Sequence, residues 1–397
     1  MPLAFPAPLA PYAAKAEETR GRLHDEPQSE GRTPFQRDRD RILHTVAFRR
    51  LKHKTQVFVF HEGDHYRTRL THSLEVSQIA RAMARQLQLD EDLAEVVALA
   101  HDLGHPPFGH TGEDVLEEMM EGAGGFDHNA QTLRLLTKLE RQHGAYHGLN
   151  LTWETLEGTV KHNGPLIGPN RVKDEPLPVA IAEYAEKQDL WLDSFPSLEA
   201  QLAALSDDIA YNNHDADDGL RAKLFTFEEA MDVPLLGPSL HRARRAWPDV
   251  PREVQIAEAV SDLIGQMVGD VLDETRRRLQ ELGPRHADDI RRHHAPVVAF
   301  SEDMAAEVSE LRRFLFARMY RHHKVNEVRS AARRIVRELF ALYRDEPEVL
   351  PPAWFTRQEG QDMDKRKRVV CDYIAGMTDR FAIHEHRRLF DLARSFL

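Results

Sequence analysis

Apolar residues recur along this chain at the three- and four-residue spacing of α-helices, and this pattern constrains the fold most strongly. Between residues 74 and 89, one stripe carries Val76, Ile79, Ala80, Met83 and Leu87. Similar spacing predicts further helices at about 199–224, 252–283, 301–345 and 364–395. A convincing alternating strand pattern is absent, and the closest candidate, residues 55–60, is short. The chain is therefore predicted to be all-α.

Shorter helices are predicted on both sides of a proline break. The acidic run at residues 90–92 begins an apolar helix that Gly104 would end, and Pro106-Pro107 then interrupts the chain. Thr111, with Asp114 three residues later, is predicted to be the N-cap of the next helix. The segment between these helices is therefore expected to be a sharp turn.

Composition narrows the function classes. With 53 basic and 65 acidic residues the net charge is −12, which argues against a protein that mainly coats nucleic acid. Three local basic runs are predicted to be solvated helix faces: residues 276–278, 291–294 and 365–368.

The compartment is predicted from absent signals and from cysteine usage. No apolar run approaches 18 residues, so no membrane span is expected. Residues 1–14 are rich in Pro and Ala without a basic start, and do not resemble a secretory signal. The single cysteine, Cys371, excludes an intramolecular disulfide and a zinc site built from cysteines. A cytoplasmic protein is expected.

Histidine is the unusual residue type, with 22 in the chain. The ten residues from His101 to His110 contain three histidines and a carboxylate at the predicted break between helices. Imidazole and carboxylate together suit a divalent metal, and an open coordination position would activate water. This short strip cannot fill a coordination shell alone. Candidates for the remaining ligands are His72 and either Asp207 or Asp208.

The ordered series His72, His101-Asp102 and Asp207 resembles the H…HD…D signature of the HD-domain phosphohydrolase superfamily. The surrounding stretches resemble its deoxyguanosinetriphosphate triphosphohydrolase family and, more distantly, the vertebrate SAM-and-HD-domain dNTP hydrolase. The similar stretches are residues 32–41, 54–58, 67–76, 101–113, 126–131 and 206–218, with a further echo at Met377-Thr378-Asp379-Arg380. The resemblance implies an HD-domain helical bundle with extra C-terminal helices.

The resemblance also implies a metal centre and a catalytic shell. One divalent metal, Mn²⁺ or Mg²⁺ with Fe²⁺, Ni²⁺ or Co²⁺ as alternatives, would be held by His72, His101, Asp102 and Asp207. The implied catalytic residues are His105, His110, Glu113 and His128. In this assignment His105 and His110 lie near the triphosphate, and a His–Glu couple favours acid catalysis because the carboxylate raises the imidazole pKa.

Substrate contacts follow from the same resemblance. Tyr211 is expected under the deoxyribose, and Asp215 on its 3′-hydroxyl. The other implied substrate contacts are Gln56, Arg69, Lys161, His162, Arg312 and Tyr320. The implied reaction cleaves a deoxynucleoside triphosphate, dGTP and other dNTPs included, to a deoxynucleoside and inorganic tripolyphosphate.

Two other classes of function stay open at this point. One is an HD-type phosphohydrolase acting on a different nucleotide phosphate ester. The other is a nucleotide-binding or nucleic-acid-binding regulator with an inactive site. The aromatic and acidic residues after Asp207 favour the dNTP triphosphohydrolase over the first, and the intact ligand set argues against the second.

The expected organisation has three parts: a flexible N-terminal arm at 1–33, an HD phosphohydrolase core at 34–230, and a C-terminal helical region at 231–397. The C-terminal region is expected to complete the substrate pocket and to form oligomer interfaces. Relatives imply a homo-oligomer, from dimer to hexamer, with single-stranded DNA as a candidate effector. Base preference is not readable from the sequence.

Overall fold

The described part of the chain is helical, which confirms the predicted all-α class. The computed structural model describes residues 8–56, 67–172, 174–358 and 360–391. In these ranges the extended pairings are isolated bridges, such as that between Thr55 and Thr68. The predicted strand candidate at 55–60 lies mostly outside the described residues. None of the described helices is both long and apolar enough to cross a membrane.

The N-terminal half contains nine helices among the described residues. They are α1 (Pro34–Leu43), α2 (Val46–Arg50), α3 (Arg69–Gln86), α4 (Glu91–Ala100), α5 (His110–Met119), α6 (His128–Arg134), α7 (Trp153–Val160), α8 (Val179–Ala185) and α9 (Leu198–Arg221). Short 3₁₀ or π turns occupy Ala16–Glu18, Leu51–His53 and Leu135–Leu139.

The C-terminal half contains a second set of nine helices within the described ranges. They are α10 (Phe227–Ala230), α11 (Leu236–Ala246), α12 (Arg252–Leu282), α13 (Ala287–Arg291), α14 (Glu302–Leu315), α15 (His323–Asp345), α16 (Pro352–Gln358), α17 (Met363–Ala375) and α18 (Asp379–Phe390). A π turn at Phe316–Tyr320 separates α14 from α15, and a 3₁₀ turn lies at Pro347–Val349.

Helices α3, α4 and α9 pack against one another and form the framework of the site. Asp90 caps α4 by accepting a hydrogen bond from the Leu93 amide, as expected for the acidic start of this helix. Leu93, Val97 and Leu99 of α4 are at most 1% exposed. Each such side chain contributes roughly 1.5–3 kcal/mol on burial. The apolar stripes predicted from the sequence therefore do form the core.

The start of α5 differs from the prediction. The helix begins at His110 with Gly109 as its N-cap, so Thr111 is not the cap. Phe108 and Gly109 have φ values of 65° and 56°. This backbone conformation is disfavoured for residues other than glycine. A Cβ at Gly109 would lie 2.8 Å from Nη2 of Arg69, so the close approach also requires glycine.

Two long predicted helices are each divided. The segment predicted as 301–345 is broken by the π turn, and the segment predicted as 364–395 is broken after Gly376. The apolar spacing continues across both breaks, so periodicity alone does not reveal them.

The N-terminal segment also differs from its prediction as a flexible arm. Ala13 and Ala14 are buried in the core, and the Ala14 amide donates a hydrogen bond to Glu199 at 2.9 Å. The Arg20 amide donates to Glu154 at 2.8 Å. Much of the segment between residues 9 and 22 is therefore packed against the helices, whereas most of 23–32 is exposed.

Two apolar clusters organise the described residues. The first extends from Ala13 to Leu315 and crosses the boundary predicted at 230/231. The second lies beneath α5 and joins it to α15, α17 and α18 through residues such as Leu116, Phe340 and Ile374. The loop between α4 and α5, which carries the central motif, leads from the first cluster to the second.

Candidate metal centre and catalytic pocket

The four predicted metal ligands come together where α3, α4 and α9 meet. His72 lies on α3, His101 and Asp102 directly follow α4, and Asp207 lies on α9. His72 Nε2 is 2.8 Å from Asp207 Oδ1. His101 Nε2 is 3.5 Å from carboxylate oxygens of both Asp102 and Asp207. Asp207 faces this cluster, whereas the adjacent Asp208 pairs with Arg312 at 2.8 Å.

The donor set fits a divalent cation. Ligand atoms of His72, His101 and Asp102 all lie within 4.8 Å of one another. His101 Nε2 and Asp102 Oδ2 are buried and have no hydrogen-bond partner among the described residues. Such atoms are rare, since each costs about 1–3 kcal/mol. Mixed imidazole and carboxylate ligands suit a divalent metal.

Neighbouring positive charges keep the Asp102 carboxyl ionised. Burial raises the pKa of the Asp102 carboxyl, but Arg69 and His101 outweigh burial and lower it. Arg69 Nη1 lies 2.7 Å from Asp102 Oδ1. Burial disfavours the charged form of His101, yet Asp102 and Asp207 raise its pKa to about 9. The carboxylates thus attract positive charge to this point.

The predicted catalytic shell lies next to this cluster. His105 Nε2 is 3.3 Å from Asp102 Oδ1, and the His105 and His128 rings stack with centroids 4.0 Å apart. Glu113 bridges two histidines: its oxygens lie 3.0 Å from His110 Nδ1 and 2.7 Å from His128 Nδ1. The His110 side chain is 61% exposed, so this end of the shell faces solvent.

The shell histidines differ in their electrostatic surroundings. Burial and the nearby Arg69 hold the pKa of His105 well below its usual range, which favours a neutral imidazole. Burial also opposes charge on His128, but the hydrogen bond and the charge of Glu113 raise its pKa. One carboxylate therefore supports a protonated histidine beside a neutral one.

The predicted sugar-side residues meet one another on α9 and the π turn. The Tyr211 and Tyr320 hydroxyls are in contact, and the Tyr320 hydroxyl donates to Asp215 Oδ2 at 2.5 Å. Asp215 Oδ1 is buried without a hydrogen-bond partner among the described residues. Burial raises the pKa of Asp215 to about 8. Gln56 likewise has a buried, unpartnered Oε1.

Lys161 does not have the geometry predicted for it. Its ammonium lies 2.9 Å from Glu157 and donates to the carbonyls of Trp191 and Phe195 at 3.1 Å and to Ser194 Oγ at 3.0 Å. The side chain is fully buried. Because every ammonium hydrogen has an acceptor, the predicted phosphate contact of Lys161 is not supported.

The remaining predicted contacts lie near the site in different ways. His162, next to Lys161, points towards the metal cluster: its Nε2 is 3.4 Å from Asp207 Oδ2, and its ring stacks on His101 at 5.3 Å. The Arg312 side chain is 47% exposed and contacts two residues of α9. It forms an ion pair with Asp208, and its Nε donates to Oδ1 of Asn212 at 3.1 Å.

His214 also lies at this site, although it is not among the residues predicted from the sequence. Its Nδ1 lies 3.2 Å from Nδ1 of His72, and its Nε2 contacts Glu75. It follows Asp207 by seven residues, which places it two turns along the same side of α9. That spacing was a usable signal. His214 thus supports the side of His72 that faces away from the metal cluster.

Comparisons with known proteins agree with this geometry. Residues 69–212 match the HD domain, and residues 298–388 match the phosphohydrolase-associated domain. The chain is 60% identical over 392 residues to a deoxyguanosinetriphosphate triphosphohydrolase-like protein of Parvibaculum lavamentivorans, covering 99% of both chains.

Proteins of the same name are similar in other bacteria. Identity is 57% over 385 residues to that of Caulobacter vibrioides, covering 97% of both chains. It is 54% over 391 residues to that of a Bradyrhizobium species, covering 98% of both. The site is thus that of a metal-binding hydrolase with an HD domain, and the chain belongs to the deoxyguanosinetriphosphate triphosphohydrolase-like family.

Proposed function

We propose that this protein is a metal-dependent dNTP triphosphohydrolase, which cleaves dGTP and other dNTPs to a deoxynucleoside and inorganic tripolyphosphate. One observation carries the proposal. A single helix, α9, presents Asp207 to the metal cluster and, two turns later, presents Asp215 with a buried, unpartnered oxygen beside two tyrosines. The names of the relatives agree with this substrate class.

The proposed metal-binding residues are His72, His101, Asp102 and Asp207, with Mn²⁺ or Mg²⁺ as the favoured ion. A divalent cation held there supplies Lewis acidity and neutralises phosphate charge. The oxygen of water forms a bond to the α-phosphorus, and the bond from that phosphorus to the 5′-oxygen of the sugar breaks. Water loses a proton, and the departing 5′-oxygen gains one.

Residues of the catalytic shell are proposed to supply the proton that the departing 5′-oxygen gains. A group that protonates the 5′-oxygen must be acidic and reach the substrate from the open side of the pocket. His110 is exposed there and is oriented by Glu113 at 3.0 Å. His128 shares the same carboxylate, so its protonated form adds positive charge near the phosphates.

The sugar is proposed to bind at the tyrosine–aspartate cluster. The free oxygen of Asp215 suits a hydrogen bond with the 3′-hydroxyl, because a buried polar atom without a partner gains most from one. Tyr211, beside it, would leave no space for a 2′-hydroxyl. The contact with Tyr211 would favour deoxynucleotides over ribonucleotides, whereas both classes carry the 3′-hydroxyl that Asp215 would bind.

Product analysis tests the proposal. The purified protein is incubated with each dNTP and rNTP, with Mn²⁺ or Mg²⁺, in ¹⁸O-labelled water. We expect unlabelled deoxynucleoside and ¹⁸O-labelled tripolyphosphate from dNTPs, with little turnover of rNTPs. Formation of monophosphate and pyrophosphate would indicate another phosphohydrolase reaction. Absence of turnover with every nucleotide and metal would instead support a regulator with an inactive site.

A further inference from the structure

The C-terminal motif at 377–380 carries a buried acid that contacts the loop between α4 and α5. Residues 105–110 of this loop are called the catalytic loop below. Asp379 begins α18 and is 1% exposed. Its Oδ2 accepts hydrogen bonds from the Thr55 amide at 3.1 Å and the Thr55 hydroxyl at 2.6 Å. Its Oδ1 accepts one from the Phe108 amide at 2.9 Å. One carboxylate therefore joins two segments that are 53 residues apart in the sequence.

Both joined segments carry residues of the pocket. Thr55 precedes Gln56, and Phe108 lies between His105 and His110. Phe108 has a φ of 65°. This conformation costs a residue with a side chain roughly 1–2 kcal/mol. A conformation of this kind persists only where neighbouring contacts hold it, and Asp379 provides such a contact at the Phe108 amide.

Lys54 adds a second connection between the same parts of the molecule. Its buried ammonium donates to the carbonyl of His105 and to the carbonyl of Ala375, the last residue of α17, at 3.0 Å. Lys54 thus ties the loop at 105–110 to the end of α17, next to the contact between Thr55 and Asp379. The end of α17 and Asp379 belong to the phosphohydrolase-associated domain rather than to the HD domain.

We propose that Asp379 is a positioning residue for the catalytic loop, through which the α17–α18 pair sets the places of His105, His110 and Gln56. Asp379 itself contacts neither the metal cluster nor the shell histidines among the described contacts. Its action on turnover rests on the proposed dNTP hydrolysis. Its action on the loop does not, and is measurable separately.

The first test is Asp379→Asn, with Glu385→Gln as the matched control. An Asn side chain offers one acceptor oxygen, so it cannot satisfy both Thr55 and Phe108. Glu385 is a buried acid on the same helix that accepts from Tyr343, away from the loop. We expect kcat to fall about 10- to 100-fold in Asp379→Asn, as for small misplacements of catalytic groups, with KM changed by less than about threefold. Glu385→Gln should leave kcat unchanged.

A second pair of variants separates positioning from folding. Thr55→Ser keeps the hydroxyl donor, whereas Thr55→Val removes it at nearly the same volume. We expect wild-type kcat in Thr55→Ser and a reduced kcat in Thr55→Val. This pair also serves if Asp379→Asn fails to fold. Equal kcat in the two Thr55 variants would overturn the proposal.

Hydrogen exchange measures the loop without reference to activity. We expect faster amide exchange in peptides covering 54–56 or 105–110 in Asp379→Asn, and wild-type exchange there in Glu385→Gln. Unchanged exchange in both segments would overturn the positioning role. If the wild-type protein hydrolyses no dNTP, the proposed function fails, while the exchange result still decides the role of Asp379.

Discussion

Lys161 and His162 are neighbours in sequence, yet they join two buried clusters of opposite character. Lys161 enters an ion network with Glu157, where four acceptors lie within 3.1 Å of its ammonium. His162 enters the metal cluster, where His101 Nε2 and Asp102 Oδ2 have no hydrogen-bond partner among the described residues. Both clusters are buried, but only the Lys161 network provides a hydrogen-bond partner for each of the polar atoms just named.

A buried polar group indicates a binding function when its hydrogen-bonding capacity is left unused. A fully paired ammonium has nothing left to offer a ligand, and its removal should affect stability. Unpartnered buried ligand atoms destabilise the fold by about 1–3 kcal/mol each, so their retention indicates a binding role. The metal cluster and the Lys161 network should therefore respond in opposite ways to substitution.

The largest effect on catalysis is expected for Asp207→Ala. Loss of this ligand should abolish stoichiometric metal binding and lower kcat at least about 1,000-fold, since a bound metal supplies several kcal/mol of charge stabilisation. Metal content is measured after purification without chelators, and circular dichroism checks the fold. Asp208→Ala, which removes the adjacent acid, should retain the metal. Equal metal content in both variants would contradict the ligand assignment.

Helix positions could be predicted from the sequence more reliably than helix breaks. The helix predicted at 252–283 is observed at Arg252–Leu282, because its apolar stripe is long and regular. The π turn at Phe316–Tyr320 was not predicted, since one extra residue per turn hardly changes the apolar pattern. Gly376, the C-cap of α17, is the sequence signal for the break between α17 and α18.

The grouping of the four candidate metal-binding residues could be predicted because each lay in a recognisable motif. Residue patterns alone left Asp207 and Asp208 open and the resemblance favoured Asp207; the two side chains face differently because adjacent residues on a helix point about 100° apart. The direction of Lys161 depends on acceptors near residue 195 and on Glu157, which no local pattern connects. Sequence therefore predicts which residue types assemble better than it predicts which way each one faces.

A smaller loss is expected for Glu113→Gln, at the solvent-facing side of the metal cluster. Glu113 raises the pKa of His128 against the effect of burial. Without the carboxylate the pKa of His128 should fall, so His128 loses its proton at lower pH. The limb of the kcat–pH profile that requires protonated His128 should therefore move to lower pH. A fall in kcat of about 100-fold is expected for impaired acid catalysis.

The pH profile of kcat and an NMR titration of His128 check this prediction. Glu117→Gln is the matched control, because Glu117 lies one turn further on α5 and accepts from the Phe126 amide instead of a histidine. An unchanged His128 titration in Glu113→Gln would refute the coupling.

A still smaller loss is expected for Tyr320→Phe. The Tyr320 hydroxyl donates to Asp215 and contacts Tyr211. Removing one such hydrogen bond should lower kcat/KM for a dNTP about fivefold to tenfold, which corresponds to about 1–1.5 kcal/mol. Tyr343→Phe makes the same deletion at a buried tyrosine–carboxylate pair remote from the site. Equal kcat/KM values for the two variants would argue against a sugar-binding role for Tyr320.

The smallest effect on catalysis, together with a large effect on stability, is expected for Lys161→Met. The substitution leaves Glu157 with Arg291 as its remaining ionic partner, 3.2 Å away from Nε to Oε1. Breaking a buried pair in this way destabilises a protein by about 3–5 kcal/mol. Urea unfolding should show this loss, whereas KM and kcat of the folded protein should stay near wild type. A raised KM at unchanged stability would instead place Lys161 at the phosphates and remove the contrast between the two clusters.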